Sequence, residues 1–195
     1  MKTSSQKRDQ DSYAPRATMP PEQRGSGTEP VALPPFVLGS TDISEGETIG
    51  ERYLYNGLEC GGQNLSPDLR WSHMPAGTKS IAVTLYDPDA RAGSGWWHWV
   101  MYDIPPGVSR LPTGAGDPSR AFMPGVVHGT TSFGKPGYGG PCPPKGDPPH
   151  RYVFSVHALD VDRLEVRAGD RVSDLDFMIQ AHAIDSASLT AKYGR

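Results

Sequence analysis

A mainly β fold in a single domain is the class this chain predicts, and three observations carry it. The 195 residues include 23 Gly and 20 Pro, above average usage, which favours many turns and short extended segments over long helices. The strongest apolar segments are short, rich in β-branched and aromatic residues, and bounded by Pro or Asp, as strands are. No strand–helix–strand alternation and no internal repeat is visible, so a parallel α/β sheet is disfavoured. A chain of this length buries one core and is too short for two ordinary domains.

Residues 1–34 are rich in Ser, Pro, Arg, Glu, Gln and Gly without a periodic apolar pattern. Such a segment cannot bury enough surface to offset its ordering entropy, so a disordered leader is expected, followed by the folded domain over residues 35–195. Weaker strands are predicted around Phe36–Leu38, Arg52–Tyr55 and Asp68–Trp71. Lys79-Ser-Ile-Ala-Val-Thr-Leu-Tyr86 is the clearest strand: Ile81, Val83 and Leu85 face one side, and Ala82, Thr84 and Tyr86 the other. It stops at Asp87-Pro88. His98-Trp-Val-Met-Tyr-Asp-Ile104 is a second strand, ended by Pro105-Pro106, and Arg151-Tyr-Val-Phe-Ser-Val-His-Ala-Leu159 a third, bounded by Pro149 and Asp160. Near the end the pattern changes. Ser173 is placed to cap a helix over Asp174–His182, with Leu175, Met178, Ile179 and His182 at helical spacing. A second short helix is expected from Ser186 to about Tyr193, stopped by Gly194.

The net charge of −3 and pI near 6.0 give no positive field, and no Lys/Arg cluster alternates with aromatics, so no nucleic-acid partner is expected. No apolar run approaches the roughly eighteen residues of a membrane span, and polar residues follow Met1-Lys-Thr-Ser-Ser5 where a signal peptide would be apolar. A cytoplasmic protein is expected. Cys60 and Cys142 are too few for a disulfide framework or a four-ligand zinc site. Two free thiols in a reducing cytosol are the expectation, with a Cys60–Cys142 bridge closing a long loop as the alternative.

The residues that carry chemistry gather at strand ends. Pro88 fixes its own φ and biases Asp87 toward an extended conformation, so Asp87-Pro-Asp89 is a rigid corner with two carboxylates. Asp89 also suits a turn that accepts hydrogen bonds from loop amides. His98 starts a strand among Trp96, Trp97 and Trp99, whose rings lower the local dielectric and strengthen any hydrogen bond of the imidazole. His150 precedes the third strand. Two histidines beside aspartates offer donors whose charge adjusts near neutral pH. Arg151 and Tyr152 alternate sides of their strand, so only one of them enters a common pocket. Tyr152 is assigned there, its hydroxyl donating to an anionic oxygen, while Arg151 pairs with Asp87 or Asp89 from behind. Glycines within 134–140 bring amides close enough to bind an oxyanion, without the sequence of a P-loop. No metal is expected, since no His-Glu-x-x-His or similar spacing occurs. Neither a Gly-x-Ser-x-Gly elbow nor a base beside Cys142 supports a nucleophilic hydrolase.

The ordered motifs Asp87-Pro-Asp-Ala90, Gly95-Trp-Trp-His-Trp-Val100, Pro143-Pro-Lys-Gly146 and His150-Arg-Tyr-Val-Phe154 resemble those of the phosphatidylethanolamine-binding proteins, in particular their bacterial Raf kinase inhibitor-like branch. The likeness runs from about Phe36 to Arg195 and takes in Asn64-Leu-Ser-Pro67 and Ala187-Ser-Leu-Thr190. It implies an antiparallel β-sandwich-like domain with short C-terminal helices. It further implies an anion pocket lined by Asp87, His98, Pro143, His150 and Tyr152, which takes phosphate-like groups such as phospholipid heads and phosphorylated residues without a cofactor. Asp89, Trp97 and Arg151 are assigned to the scaffold of that pocket. Relatives regulate kinases or inhibit proteases. One departure is Arg91, where the family usually has Pro after Asp-Pro-Asp-Ala; it adds a cation at the rim and is expected to alter selectivity there.

A non-enzymatic binding protein for a small anionic ligand is therefore expected, with a kinase or protease as protein partner. Its binding should weaken as pH rises and the histidines lose charge. A hydrolase using Asp87, His98 and His150 as acid–base groups, with or without a metal, is the alternative.

Overall fold

Two antiparallel sheets face each other in a computed structural model that describes residues 33–90, 93–120, 122–166 and 170–195. The expected leader lies outside the described residues except for its last two positions, and so does Arg91. In chain order the elements are β1 (Val37–Gly39), β2 (Leu69–Ser72), β3 (Ser80–Asp87), β4 (Trp96–Ile104), β5 (Arg110–Leu111), β6 (Val127–His128), β7 (His150–Leu159), α1 (Val172–His182) and β8 (Ala183–Tyr193). The small sheet has the order β1-β2-β5 and the large one β6-β4-β3-β7-β8. Every pairing within the sheets is antiparallel.

The alternation in β3 sorts its side chains between two cores. Ile81, Val83 and Leu85 point into the space between the sheets, where they meet Phe36, Leu69, Trp71, Trp99, Phe154 and Val156. Ala82 points the other way, into a second cluster with Val100, Tyr102, Leu159, Leu164, Leu175 and Ile179, which α1 closes from outside. Each fully buried aliphatic or aromatic side chain contributes on the order of 1.5–3 kcal/mol. Thr84 shares the helix-side face and is satisfied by His157 at 3.1 Å, which in turn bonds Ser186 at 2.8 Å.

Three local expectations are corrected. The segment Arg52–Tyr55 is not a strand: Glu51–Tyr53 forms a 3-10 turn, with the Tyr53 and Leu54 amides donating to Gly50 and Glu51 carbonyls, because packing of Tyr53 and Leu54 into the core overrides their β propensity. The second C-terminal helix is replaced by β8, which pairs with β7 from Leu159↔Ala183 to His150↔Tyr193. Ala187, Leu189 and Ala191 are buried in the inter-sheet core while Ser186, Ser188 and Lys192 are exposed, a period of two that outweighs the helix-forming residues. Helix α1 is present, but its cap position is Arg171, with no side-chain cap bond, and Ser173 lies inside the first turn. Leu175 and Ile179 are its buried residues.

The outer edge of β8 is covered by the strap 46–49, through Gly46 N to Thr190 O at 2.7 Å, Lys192 N to Glu47 O at 2.8 Å and Ile49 N to Lys192 O at 2.8 Å. This blunts an edge that would otherwise pair with another chain. No helix among the described residues is long and apolar enough to cross a membrane.

Candidate functional site

The C-terminal end of β3, the start of β4 and the start of β7 come together at one end of the sandwich, which brings Asp87, His98, His150 and Tyr152 onto the wall of one cavity of about 240 Å³. Asp87 keeps the parity of Ile81, Val83 and Leu85, and His150 and Tyr152 keep that of Phe154 and Val156, so all three face the inter-sheet side. His98 reaches the same side by a different device. Leu85 pairs with Trp99 but Tyr86 pairs with Trp97, so His98 is the extra residue of a β-bulge. The bulge puts Trp99 in the inter-sheet core and Trp97 against Tyr86 on the opposite face, with ring centroids 4.6 Å apart.

Asp87 is buried and held from two directions: its Oδ1 accepts the Asp89 amide at 2.8 Å, and its Oδ2 accepts from His150 Nδ1 at 2.8 Å. On its other edge, His150 Nε2 lies 3.6 Å from Asp147 Oδ2. Arg151 points away from the cavity and clamps Asp89, with Nε to Oδ2 at 2.9 Å and Nη2 to Oδ1 at 2.8 Å. Its backbone amide also donates to Asp89 Oδ2 at 2.8 Å. These bonds hold the Asp89 carboxyl at a pKa of about 2. The Asp87-Pro88-Asp89 corner is thus tied to β7 through both aspartates.

His98 is buried, and its Nδ1 lies 2.7 Å from the carbonyl oxygen of Gly139. A carbonyl oxygen only accepts, so Nδ1 carries the hydrogen and Nε2 of the neutral ring is an acceptor. Burial, opposed by that hydrogen bond and by Asp87, lowers the His98 pKa to about 4. Near neutrality His98 therefore presents a lone pair, not the donor expected of it. The Tyr152 hydroxyl is buried without a hydrogen bond of full geometry. Burial and the nearby Asp87 charge push its pKa up, which keeps it a phenol and a donor.

The mouth is apolar, formed by Leu58, Trp96, Phe133, Pro143 and Pro144 with Cys142. The His98 ring stands edge-on to both Phe133 and Tyr152, at 5.3 Å in each case. Gly139 lets the Phe133 ring lie directly on the backbone, where a Cβ would collide with it. Cys60 and Cys142 form a disulfide with Cα atoms 5.7 Å apart, which overturns the expectation of two free thiols. A separation of 82 residues hid the fact that their loops cross at this mouth. Arg195 Nε braces the same loop by donating to Pro143 O at 2.7 Å.

Asp87, His98, Pro143, His150 and Tyr152 thus share one cavity, and Asp89 and Arg151 stand behind it. Trp97 does not belong to this wall; Trp96 does. The expected oxyanion-binding amides of the glycine segment are in part already bonded within the protein, Gly139 N to His98 O at 2.8 Å and Gly140 N to Asn64 Oδ1 at 2.7 Å. Among the described residues no group of three or more His, Cys, Asp or Glu side chains is placed to hold a metal ion.

A family profile described as phosphatidylethanolamine-binding protein matches residues 39–194. The chain belongs to the phosphatidylethanolamine-binding protein family. It is 46% identical to protein YbhB of Escherichia coli (strain K12) over 156 residues, covering 80% of this chain and 98% of that protein. It is 44% identical to YbcL of the same organism, covering 81% of this chain and 87% of YbcL. The crystal structure of YbcL, described as a new member of the mammalian PEBP family, superposes with a TM-score of 0.80 at 43% identity, covering 82% of this chain and 98% of YbcL. A family homologue from Chlamydia trachomatis gives 0.68 at 33% identity, covering 82% and 97% of the two chains. Family membership supports ligand binding in general.

Proposed function

We propose that this protein binds a small anionic group of the phosphate type, carried by a lipid head or a phosphorylated residue, and that it acts by binding without catalysis. The observation that carries this reading is the buried Tyr152 hydroxyl on the cavity wall, short of a full hydrogen bond, beside His98 and the Asp87-held His150. Asp87 engages this buried donor only imperfectly, so a ligand oxygen that takes its full hydrogen bond recovers part of the cost of burying it. The polar floor accepts a group of phosphate size, and the apolar mouth suits the hydrocarbon or aromatic portion that bears it. Direct calorimetric titration with inorganic phosphate and phosphoethanolamine tests the reading. Affinities unchanged in His98→Ala and His150→Ala would remove it.

The regulatory consequence we propose is inhibition of a kinase or protease through the surface around the mouth, by analogy within the family. A hydrolytic reading uses the same His98 as a base; a phosphoester hydrolysis assay on native protein separates the two. For location, the Cys60–Cys142 bridge favours an oxidising compartment over the cytoplasm, because such bonds persist where thiols are not kept reduced. Counting free thiols in protein isolated under thiol-blocking conditions tests this.

A further inference from the structure

Resting on the anion-binding reading, we propose that the pocket takes its oxyanion with one acidic hydrogen still in place, shared between a ligand oxygen and His98 Nε2. It therefore selects phosphomonoesters over phosphodiesters and over sulfate. The bond between His98 Nδ1 and Gly139 O at 2.7 Å commits the ring hydrogen to the backbone. No described residue donates a hydrogen bond to the other ring nitrogen, although the ring lines the cavity. An approaching oxygen without a hydrogen would set lone pair against lone pair.

The groups around His98 do not relieve this. Asp87, from the end of β3, adds negative charge and has both oxygens engaged, by Asp89 N and His150 Nδ1. From β7, His150 directs Nδ1 at Asp87, and Tyr152 supplies a single hydroxyl hydrogen, imperfectly engaged by Asp87 and enough for one ligand oxygen. Gly139 and, more weakly, Gly140 contribute backbone acceptors, and Phe133 only the edge of its ring. Protonating the imidazole is opposed by its burial, which holds it neutral down to about pH 4.

A complementary ligand thus offers an acceptor oxygen to Tyr152 and an O–H to His98. The monoanion of a phosphomonoester has both. A phosphodiester has no O–H, and sulfate keeps no proton near neutrality. This reorders the ligand classes within the anion-binding reading: free hydrogen phosphate, a phosphorylated side chain or a lipid phosphomonoester fits, whereas a diester lipid head lacks the hydrogen that His98 needs. Sites built around a ligand hydrogen discriminate strongly against isosteres without it, because their own polar group is left unpaired.

Calorimetry of the full chain with methyl phosphate, dimethyl phosphate and sulfate decides it. A monoester loses its second proton at about pH 6, so at about pH 8 the bound state must recover one proton from solvent. Paired buffers of different ionisation enthalpy should then show uptake of about one proton per methyl phosphate, with affinity falling about tenfold per pH unit above about pH 6. At about pH 5.5, dimethyl phosphate and sulfate should bind at least about 100-fold more weakly than methyl phosphate. His98→Asn, which can turn an amide N–H to the ligand, should erase most of that discrimination and the proton uptake. The wild-type series stands alone if that variant does not fold. Equal affinities for all three ligands with no proton uptake would overturn the inference and leave anion binding intact. No binding of methyl phosphate at about pH 5.5 would overturn both.

Discussion

Asp87 Oδ2 lies 2.8 Å from His150 Nδ1, with both side chains buried at the meeting of β3 and β7. The pair links the Asp-Pro-Asp corner to the strand that carries Tyr152, so it shapes the cavity as well as lining it. Truncation in Asp87→Ala removes the acceptor for a buried donor and should cost about 1–3 kcal/mol of stability. Ligand affinity should fall as well, because the corner loses its inner tie. Urea unfolding and phosphate titration on the same preparation check both.

Tyr152 gives the opposite signature. Its hydroxyl makes only an imperfect bond to Asp87 in the free protein, so Tyr152→Phe removes a poorly satisfied buried group. Stability should stay level or rise by up to about 1 kcal/mol, while affinity for a phosphomonoester falls about tenfold or more. A variant that is destabilised with unchanged affinity would assign the hydroxyl to the fold instead of the ligand.

Strand positions were legible because period two survives in Ile81, Val83 and Leu85 and in Tyr152, Phe154 and Val156, and parity alone separated Tyr152 from Arg151. The His98 bulge was not legible. Strict alternation would send His98 to the helix side with Val100 and Tyr102, and only the pairing of Leu85 with Trp99 and Tyr86 with Trp97 reveals the extra residue. That shift is why Trp96, and not Trp97, lines the cavity. Leu58 and Phe133 were missed because irregular loops distant in sequence deliver them; the nearest signal was the glycine run after Phe133, whose Gly139 makes room for its ring. In β8 the alternation of Ala187, Leu189 and Ala191 was present but carried by alanine and leucine, which also favour helix.

His98 and His157 are both buried with pKa values of about 4, lowered chiefly by burial. A folded-state pKa below the unfolded value of about 6.5 means that the unfolded chain binds more protons between these limits. The stability from keeping both rings neutral is full above about pH 6.5 and lost as pH falls through about 4. The unfolding free energy should drop by as much as about 2.7 kcal/mol per pH unit within that window, from two protons at about 1.36 each. Chemical denaturation from about pH 7 to about pH 4, with ring titration followed by NMR, measures it.

At more acid pH Asp68, buried where β2 meets the 40–43 segment, contributes in the same range as Asp89. Burial raises its pKa, but the Thr41 amide and hydroxyl, each at 2.7 Å, and Arg70 Nε at 2.8 Å outweigh that and bring it to about 2. The sign follows that of any depressed carboxylate: stability is present above about pH 4 and lost as pH falls through about 2. Asp68→Asn should be less stable than wild type at neutral pH, with the gap closing over that acid range, as urea midpoints against pH would record.

The Cys60–Cys142 disulfide closes a span of 82 residues and stands at the cavity mouth, so its removal should be felt twice. Such a long closed loop restricts the unfolded chain, and replacing both cysteines by serine should cost about 2–5 kcal/mol. The local fold should persist, because Lys145 Nζ to Glu59 Oε2 at 2.8 Å and Arg195 Nη1 to Glu59 O at 3.1 Å still tie the two loops. The loops that bring Leu58 and Pro143 to the cavity would nevertheless lose their covalent link. Phosphomonoester affinity should therefore fall in the double serine variant and in reduced wild-type protein alike. Denaturation and ligand titration with and without reductant, on wild type and the double variant, check the pairing; a variant that matches oxidised wild type in both measurements would remove the bridge from stability and site alike.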